Sequence, residues 1–197
     1  PITLSQKVKE GVALHQDKKD IHYQSIKKAR EFKEGKFEND EYNKHINFLK
    51  AHVKRNLLEH QIKASFHLSL LGNGANFSVP GSGKTTVLLA YYEKLKVEDK
   101  VDVLFVIGPP SCFGPWREEF QVVLGRNPHE CLLAGGSSED RRNSYSYPND
   151  ETEMFMTTFQ TLQNDYEQVK TMLQQKNRRA LIVVDEAHYM KPVSYTH

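Results

Sequence analysis

The sequence contains little cysteine and no long hydrophobic run. Its two cysteines, Cys112 and Cys131, cannot form the disulfide framework of a small secreted protein. No apolar stretch approaches the roughly 20 residues of a membrane span, and the first residues lack the apolar core of a signal peptide. We therefore expect no membrane partner and an intracellular, reducing setting, either cytoplasmic or associated with the nucleoid.

Net charge and repeats are also nearly absent. The 27 basic and 25 acidic residues leave a formal charge of +2, too little to indicate an obligate polyanion binder. No internal repeat or low-complexity tract is present. The length of 197 residues favours one main domain with a smaller appendage. Because the chain begins with proline, we interpret it as an internal fragment of a longer protein.

The first 55 residues are polar and rich in lysine, and they are interrupted at Gly35. Apolar residues recur there at helical spacing, so we predict a helical appendage over residues 1–55 and a second domain over residues 56–197. The basic side chains of this segment could contact phosphates, although a solvated helix face is the simpler interpretation. A further helix is expected over residues 57–71, with Gly72 at its end.

Short apolar runs alternate with helical segments in the rest of the chain. Strands buried on both faces have this pattern, and helices between them imply parallel pairing. The spacing of Phe159, Leu162, Tyr166, Val169 and Leu173 predicts one helix with a single apolar stripe. The fold class is therefore α/β, an open sheet whose ligands lie beyond the carboxyl ends of the strands. The predicted strands are residues 76–79, 101–107, 131–133, 154–156 and 180–184.

The stretch FSVPGSGKTTVL, residues 77–88, has the composition of a phosphate-binding loop between a strand and a helix. Its glycines let backbone N–H groups converge on phosphate oxygens, Lys84 reaches the outer phosphates, and the Thr85 hydroxyl can ligate Mg²⁺. Ser78 occupies the first position of the strict pattern, where glycine is usual. The predicted nucleotide-binding residues are Pro80, Gly81, Ser82, Gly83, Lys84, Thr85 and Thr86.

A second motif, ALIVVDEAH at residues 180–188, is an apolar strand that ends in two carboxylates. Asp185 is predicted to hold Mg²⁺ through its water shell, and Glu186 to orient and deprotonate an attacking water. Glu186 and Lys84 are the predicted catalytic residues. With no His/Cys cluster around His188, we expect no metal other than Mg²⁺. The two motifs together predict ATP hydrolysis.

The Asp-Glu-Ala-His box resembles that of superfamily-two helicases, and four further segments resemble the Swi/Snf-like branch. That resemblance implies an amino-terminal RecA-like lobe. The element LLEHQ, residues 57–61, resembles one in which the glutamine, here Gln61, reads the adenine edge. The segment 103–120 resembles a motif that places Pro110 and Ser111 at the nucleic-acid backbone, with Trp116 and Phe120 packing its helix.

Two more segments carry the resemblance, which covers roughly residues 57–192. MTTFQTL, residues 156–162, resembles an element whose two threonines, here Thr157 and Thr158, meet a phosphate of the tracked strand. On residues alone, two threonines at a strand end equally indicate a helix cap. The sequence DEAHYMK, residues 185–191, resembles an extended box in which His188 and Lys191 couple the two sites.

The function implied is that of an ATP-dependent motor that moves on a nucleic acid, with double-stranded DNA as the expected partner. Such motors close two RecA-like lobes over ATP, and the second lobe supplies an arginine. That lobe lies outside this sequence, so we expect the chain alone to hydrolyse ATP weakly. Two alternatives stay open: a strand-separating helicase acting on RNA or DNA, and a nucleotide-gated binding module that contacts no nucleic acid.

Overall fold

Residues 6–74, 81–146, 149–175 and 177–187 are described by a computed structural model of the chain. Their helices are α1 (Gln6–Lys33), α2 (Asn39–His52), α3 (Glu59–Leu71), α4 (Lys84–Val97), α5 (Phe113–Leu124), α6 (Ser138–Ser146), α7 (Phe159–Asn164) and α8 (Tyr166–Gln175). Their strands are β1 (Val103–Ile107), β2 (Glu130–Leu132), β3 (Met154–Thr157) and β4 (Ala180–Val184). A single 3-10 turn, Pro110–Cys112, leads directly into α5.

The four strands form a parallel sheet in the order β2-β3-β1-β4. The central strand β1 pairs with β3 on one side and with β4 on the other. Its last residue, Ile107, lies beside Thr157 in one neighbour and beside Val184 in the other. Since parallel strands end at the same edge, the segments that follow β1, β3 and β4 are brought together there.

Helices cover both faces of the sheet because the side chains of each strand alternate between them. Leu104 and Val106 of β1 pack in the cluster that contains residues of α4 and α5, including Trp116 and Phe120. Phe105 of β1 faces the opposite cluster, formed with α6 and α8. All five residues of β1 are buried. The α/β class, a parallel sheet flanked by helices, is therefore confirmed.

The amino-terminal helices pack against this lobe. Leu49 and Val53, at the end of α2, belong to the same core cluster as the residues of α4 and α5. Phe32 of α1 packs edge-on against Phe66 of α3, with 4.9 Å between the ring centroids. The predicted helices on either side of Gly35 are present, and the division of the chain at residue 55 stays a prediction.

The predicted helix over residues 159–173 is wrong in one respect, because the chain forms two helices there. Asp165 interrupts the helix, since its carboxylate Oδ2 accepts hydrogen bonds from Arg141 Nε (2.7 Å) and Tyr145 Oη (2.8 Å) of α6. Tyr166, which was expected in the apolar stripe, is 56% exposed. The other predicted strands and helices that are described differ from the structure only at their ends, and α6 was not predicted. The strand expected at residues 76–79 lies outside the described residues.

A buried histidine lies where α2 meets α3. His45 Nε2 is 2.8 Å from Ser65 Oγ, and the Ser65 hydroxyl in turn donates to the carbonyl of Ile62. This chain of bonds suits a neutral imidazole that carries its proton on Nε2. His45 Nδ1 is buried and has no hydrogen-bond partner in the described part of the chain. Burial, and then the charge of Lys94, lowers the pKa of His45 from 6.5 to about 4.

The depressed pKa of His45 predicts a specific loss of stability in acid. The unfolded chain takes up this proton below about pH 6.5, whereas the folded chain resists it until about pH 4. The free energy of unfolding should therefore fall as pH is lowered across that window, and His45→Asn should flatten the fall. Urea unfolding at a series of pH values measures this. His52→Asn, an exposed histidine of the same helix, is the control and should keep the parent slope.

Candidate functional site

Two parts of the predicted site lie at the carboxyl edge of the sheet: the carboxylates that follow β4 and the glycine that follows β1. Asp185 and Glu186 follow β4 directly, and the Asp185 N–H donates to the carbonyl of Ile107 at 2.8 Å, which extends the pairing of β4 with β1. Gly108 follows β1, and a Cβ there would lie 3.3 Å from Asp185 Cβ and 2.8 Å from Cys112 Sγ. Glycine at this position therefore lets β1 pass close beneath the carboxylate.

The described part of the predicted phosphate-binding loop is Gly81–Gly83, ahead of α4. Gly83 is the N-cap of α4 and has a left-handed backbone (φ +79°), a conformation that side chains disfavour. No side-chain oxygen among the described residues caps this helix. The first N–H groups of α4 can therefore donate hydrogen bonds to an anionic phosphate, which the positive end of the helix dipole also favours.

Gln61 forms one wall of this loop. The side chain is 5% exposed; its Oε1 accepts from the Leu58 N–H at 3.0 Å, and its Nε2 donates to the Ser82 carbonyl at 3.2 Å. His60 Nε2 also lies 3.1 Å from that carbonyl. The Oε1 end of the Gln61 amide thus caps the start of α3, and the Nε2 end holds that start against the loop. Its predicted adenine contact would replace one of these bonds, and that role stays a prediction.

The three residues that open α4 differ in burial. Lys84 and Thr85 are half-buried, whereas Thr86 is 1% exposed. The Thr86 hydroxyl donates to Glu119 Oε1 of α5, and Arg55 Nη1 pairs with the same carboxylate at 2.6 and 2.7 Å. The Thr86 side chain is therefore committed to α5, so that its backbone N–H is the group left for a nucleotide. Glu119 and Arg55 were not predicted for this site.

The Asp185 carboxylate is oriented by two donors. The Trp116 indole N–H donates to Oδ2 at 2.9 Å, and the Glu186 N–H donates to Oδ1 at 2.9 Å. Sequence reasoning had given Trp116 only a packing role. Burial, and then the nearby charge of Asp185, raises the pKa of the Cys112 thiol to about 11, so that thiol stays protonated at neutral pH.

Glu186 has a strained backbone and an exposed side chain. Its φ is +53°, in the left-handed region that residues with a Cβ rarely adopt. Non-glycine residues in this region cost about 1–3 kcal/mol and cluster at functional sites. The roles predicted for Asp185 as a metal ligand and Glu186 as a base stay predictions.

An Asp185–Thr85 pair fits Mg²⁺ by its chemistry. Carboxylate and hydroxyl oxygens are the ligands this cation prefers, and it keeps several waters when so few protein ligands are present. Each carboxylate oxygen of Asp185 accepts one of these two hydrogen bonds and keeps lone-pair capacity for a bound water. No group of three or more His, Cys, Asp or Glu side chains that could hold another metal occurs within the described ranges.

The predicted nucleic-acid contacts lie at the same edge but differ in accessibility. Pro110 and Ser111 are exposed on the 3-10 turn after β1. Thr157 is fully buried, and its hydroxyl lacks a hydrogen-bond partner among the described residues. The Thr158 hydroxyl caps α7 by accepting from the Thr161 N–H at 3.1 Å. The turn with Pro110 and Ser111 is therefore the exposed part of this edge.

Three predicted site residues lie outside the described residues, namely Pro80, His188 and Lys191. Their roles stay predictions. Ser82, which the structure does describe, has a buried hydroxyl without a hydrogen-bond partner in that part of the chain. None of the described helices is both long and apolar enough to cross a membrane.

The sheet, its flanking helices and the loop before α4 define an amino-terminal RecA-like lobe of the superfamily-two helicase type. A family model described as "Type III restriction enzyme, res subunit" matches residues 74–197, so the chain belongs to that family. A search of curated proteins finds no match.

Among solved structures, the chain is similar to the SWI2/SNF2 ATPase core of Sulfolobus solfataricus, which was solved in complex with double-stranded DNA. The two share 26% sequence identity and superpose with a TM-score of 0.51. The match covers 71% of this chain and 28% of that one, so the chain corresponds to about a quarter of the larger core. This likeness confirms the resemblance to the Swi/Snf-like lobe.

The contact between Gln61 and the loop yields a test with a matched control. A Cβ at Gly83 would overlap Gln61 Nε2, whereas one at Gly81, which has a similar positive φ, meets no described atom within 4 Å. Both alanine variants carry the strain of a left-handed backbone, about 1–2 kcal/mol. Gly83→Ala should melt several degrees below Gly81→Ala. Adding Gln61→Ala should recover part of the difference for Gly83→Ala only; equal melting temperatures would contradict the contact.

Proposed function

We propose that the chain is the ATP-binding lobe of a motor that hydrolyses ATP and moves on nucleic acid. The observation that carries the proposal is the carboxyl edge of the sheet, where a doubly hydrogen-bonded Asp185 precedes the strained Glu186. Membership of a restriction-helicase family and the likeness to a SWI2/SNF2 core support the same reading.

The chain's own residues would divide the work on ATP. Backbone N–H groups at the start of α4 bind the phosphates, and Lys84 neutralises charge on the outer ones. Thr85 and Asp185 would hold Mg²⁺, which supplies positive charge to the phosphate oxygens when bound. Glu186 orients the attacking water and accepts its proton. In this proposal, the start of α4 binds the phosphates, and the residues after β4 hold the metal and the attacking water.

Gln61 would read the adenine edge, as the family resemblance implies. Its Nε2 donates to the Ser82 carbonyl, so one side chain would contact both the base and the loop that binds the phosphates. Guanine has a carbonyl oxygen where adenine has its amino group, so a Gln61 amide oriented to bind adenine would not pair with guanine.

Nucleic acid would bind along the edge formed by Pro110, Ser111, Thr157 and Thr158, with His188 and Lys191 coupling that edge to the nucleotide. Exposed backbone groups and hydroxyls bind phosphates without regard to base sequence, as a moving protein requires. The SWI2/SNF2 core was solved with double-stranded DNA, so we propose duplex DNA as the partner here. Such a motor would work inside the cell, where Cys112 and Cys131 stay as free thiols.

The proposed motor needs a second RecA-like lobe in the full-length protein. An arginine from that lobe would stabilise the transferring phosphoryl group, which is worth roughly 10³ to 10⁵ in turnover. We therefore expect this chain to bind Mg·ATP and to hydrolyse it slowly by itself.

The roles of the two carboxylates can be separated in the full-length protein. Glu186→Gln should keep Mg·ATP affinity and lose turnover by about 10²-fold or more, because the amide cannot accept the proton. Asp185→Asn should instead weaken Mg·ATP binding, because it removes a charge beside the metal. Calorimetry and steady-state hydrolysis, with and without DNA, measure both effects.

The same assay discriminates among the candidate functions. Stimulation of the parent by duplex DNA supports a translocase, and stimulation by single strands alone supports a strand-separating helicase. A parent that ignores all nucleic acid would leave only the nucleotide-gated module. A Glu186→Gln protein that turns over near the parent rate would refute the assignment of the base.

Gln61→Ala tests adenine recognition. The variant should lose affinity for ATP by several-fold more than for GTP, since only the base contact distinguishes the two nucleotides. Competition binding with both nucleotides provides the measurement. An equal loss would show that Gln61 acts only by holding the loop through Ser82.

A further inference from the structure

One face of α5 contacts both nucleotide motifs. Trp116 and Glu119 are three residues apart, so they lie on the same side of the helix. Trp116 donates to Asp185, beyond β4, and Glu119 accepts from Thr86, in the first turn of α4. Thr86 and Asp185 are about 100 residues apart in sequence, and a single turn of α5 makes hydrogen bonds to both.

The Trp116 bond restricts the rotation of the Asp185 carboxylate. The indole is 1% exposed and packed in the core, so its N–H has a fixed position. The bond is charge-assisted and 2.9 Å long, and the Glu186 N–H holds the second oxygen at the same distance. With both oxygens bound, the remaining lone pairs of the carboxylate point in set directions, which is what a metal-bound water requires.

The Glu119 bond sets the first turn of α4 against α5. The Glu119 carboxylate is shared between the Thr86 hydroxyl and Arg55, whose guanidinium contacts both of its oxygens. Arg55 lies between α2 and α3, and the neighbouring Lys54 N–H donates to the carbonyl of Val123 in α5 at 2.8 Å. The carboxylate is thus paired on both sides, so it can hold a buried hydroxyl without an uncompensated charge.

We propose that Trp116 and Glu119 are positioning residues that set the metal-holding carboxylate and the phosphate-binding helix at a fixed separation. This inference rests on the proposed function, because it assigns the two residues to the same nucleotide site. Neither side chain needs to touch the nucleotide. Phe120, fully buried on the same helix, anchors α5 in the core and so makes α5 a rigid support for both contacts.

The first arm of the test observes the indole bond without nucleotide. Trp116 is the single tryptophan of the 197-residue chain, so its indole N–H provides one identifiable NMR signal. Asp185→Asn should shift that signal upfield, since a neutral acceptor replaces a charged one. A signal that does not move in Asp185→Asn would show that the bond is absent in solution and would overturn the proposal.

The second arm measures the Mg²⁺ dependence of ATP binding by calorimetry. Trp116→Phe keeps an aromatic ring in the core but removes the donor, and it should raise the half-saturating Mg²⁺ concentration by about tenfold. ATP binding in EDTA should change little. Phe155→Leu is the matched control, because it also removes buried aromatic surface but lies on β3, in the cluster on the opposite face of the sheet from α5; it should lower the melting temperature and leave the Mg²⁺ dependence as in the parent.

The third arm addresses Glu119 through its partner. Thr86→Val removes the hydroxyl at constant volume and should weaken ATP binding several-fold, with and without Mg²⁺, whereas Thr86→Ser should restore most of the affinity. Combining Thr86→Val with Glu119→Ala should cost less than the sum of the single changes, because each single change already removes the Thr86–Glu119 hydrogen bond. Additive losses would overturn the Glu119 half of the proposal.

The outcomes separate this inference from the proposed function. A Trp116→Phe chain that binds Mg·ATP with the parent's Mg²⁺ dependence overturns the positioning role alone. A parent chain that binds no Mg·ATP overturns the nucleotide site and the positioning role together. A moved indole signal with a tenfold higher Mg²⁺ requirement supports both.

Discussion

The pairing of β1 with a parallel strand on each side is the constraint on which the candidate site depends. Its register sets Ile107 beside Thr157 and Val184, so the residues that follow three strands converge at one edge. Because both faces of β1 are buried, a slip by one residue would exchange the side chains packed against α5 with those packed against α8. The position of Asp185 is therefore a consequence of how the hydrophobic core packs.

Helix α5 connects the carboxyl edge of the sheet to the first turn of α4. It lies in the core through Phe120 and Val123, and its other contacts reach Asp185 and Thr86. A hydrogen bond alone contributes only about 1 kcal/mol to stability, but a bond whose donor is held by packing also defines direction. Core packing thus supplies the rigidity and the polar contacts supply the orientation.

The two ends of the sheet contain different polar groups. At the amino end, Glu153 is paired with Arg126 at 2.6 Å and with Lys96; although burial raises its pKa, these bonds hold the pKa below its usual range. At the carboxyl end, the Thr157 hydroxyl lacks a hydrogen-bond partner in the described part of the chain, and Glu186 has a left-handed backbone. The amino end has comparable features, since Arg178 Nη1 is buried without a partner among the described residues and Asn177 is left-handed. The carboxyl end is therefore distinguished by the carboxylates that follow β4 and not by strain or unsatisfied groups as such.

The sequence by itself determined the fold class, most of the helices and strands, and the positions of the two nucleotide motifs. These depend on local patterns: apolar runs for buried strands, glycines before Lys84, and carboxylates after β4. Only the tertiary structure decided that Asp165 divides one expected helix, that the Thr86 hydroxyl donates to Glu119, and that the Trp116 indole donates to Asp185. Each of these contacts joins side chains between 24 and 69 residues apart, and no local pattern specifies a partner at that distance, because the packing of the core selects it.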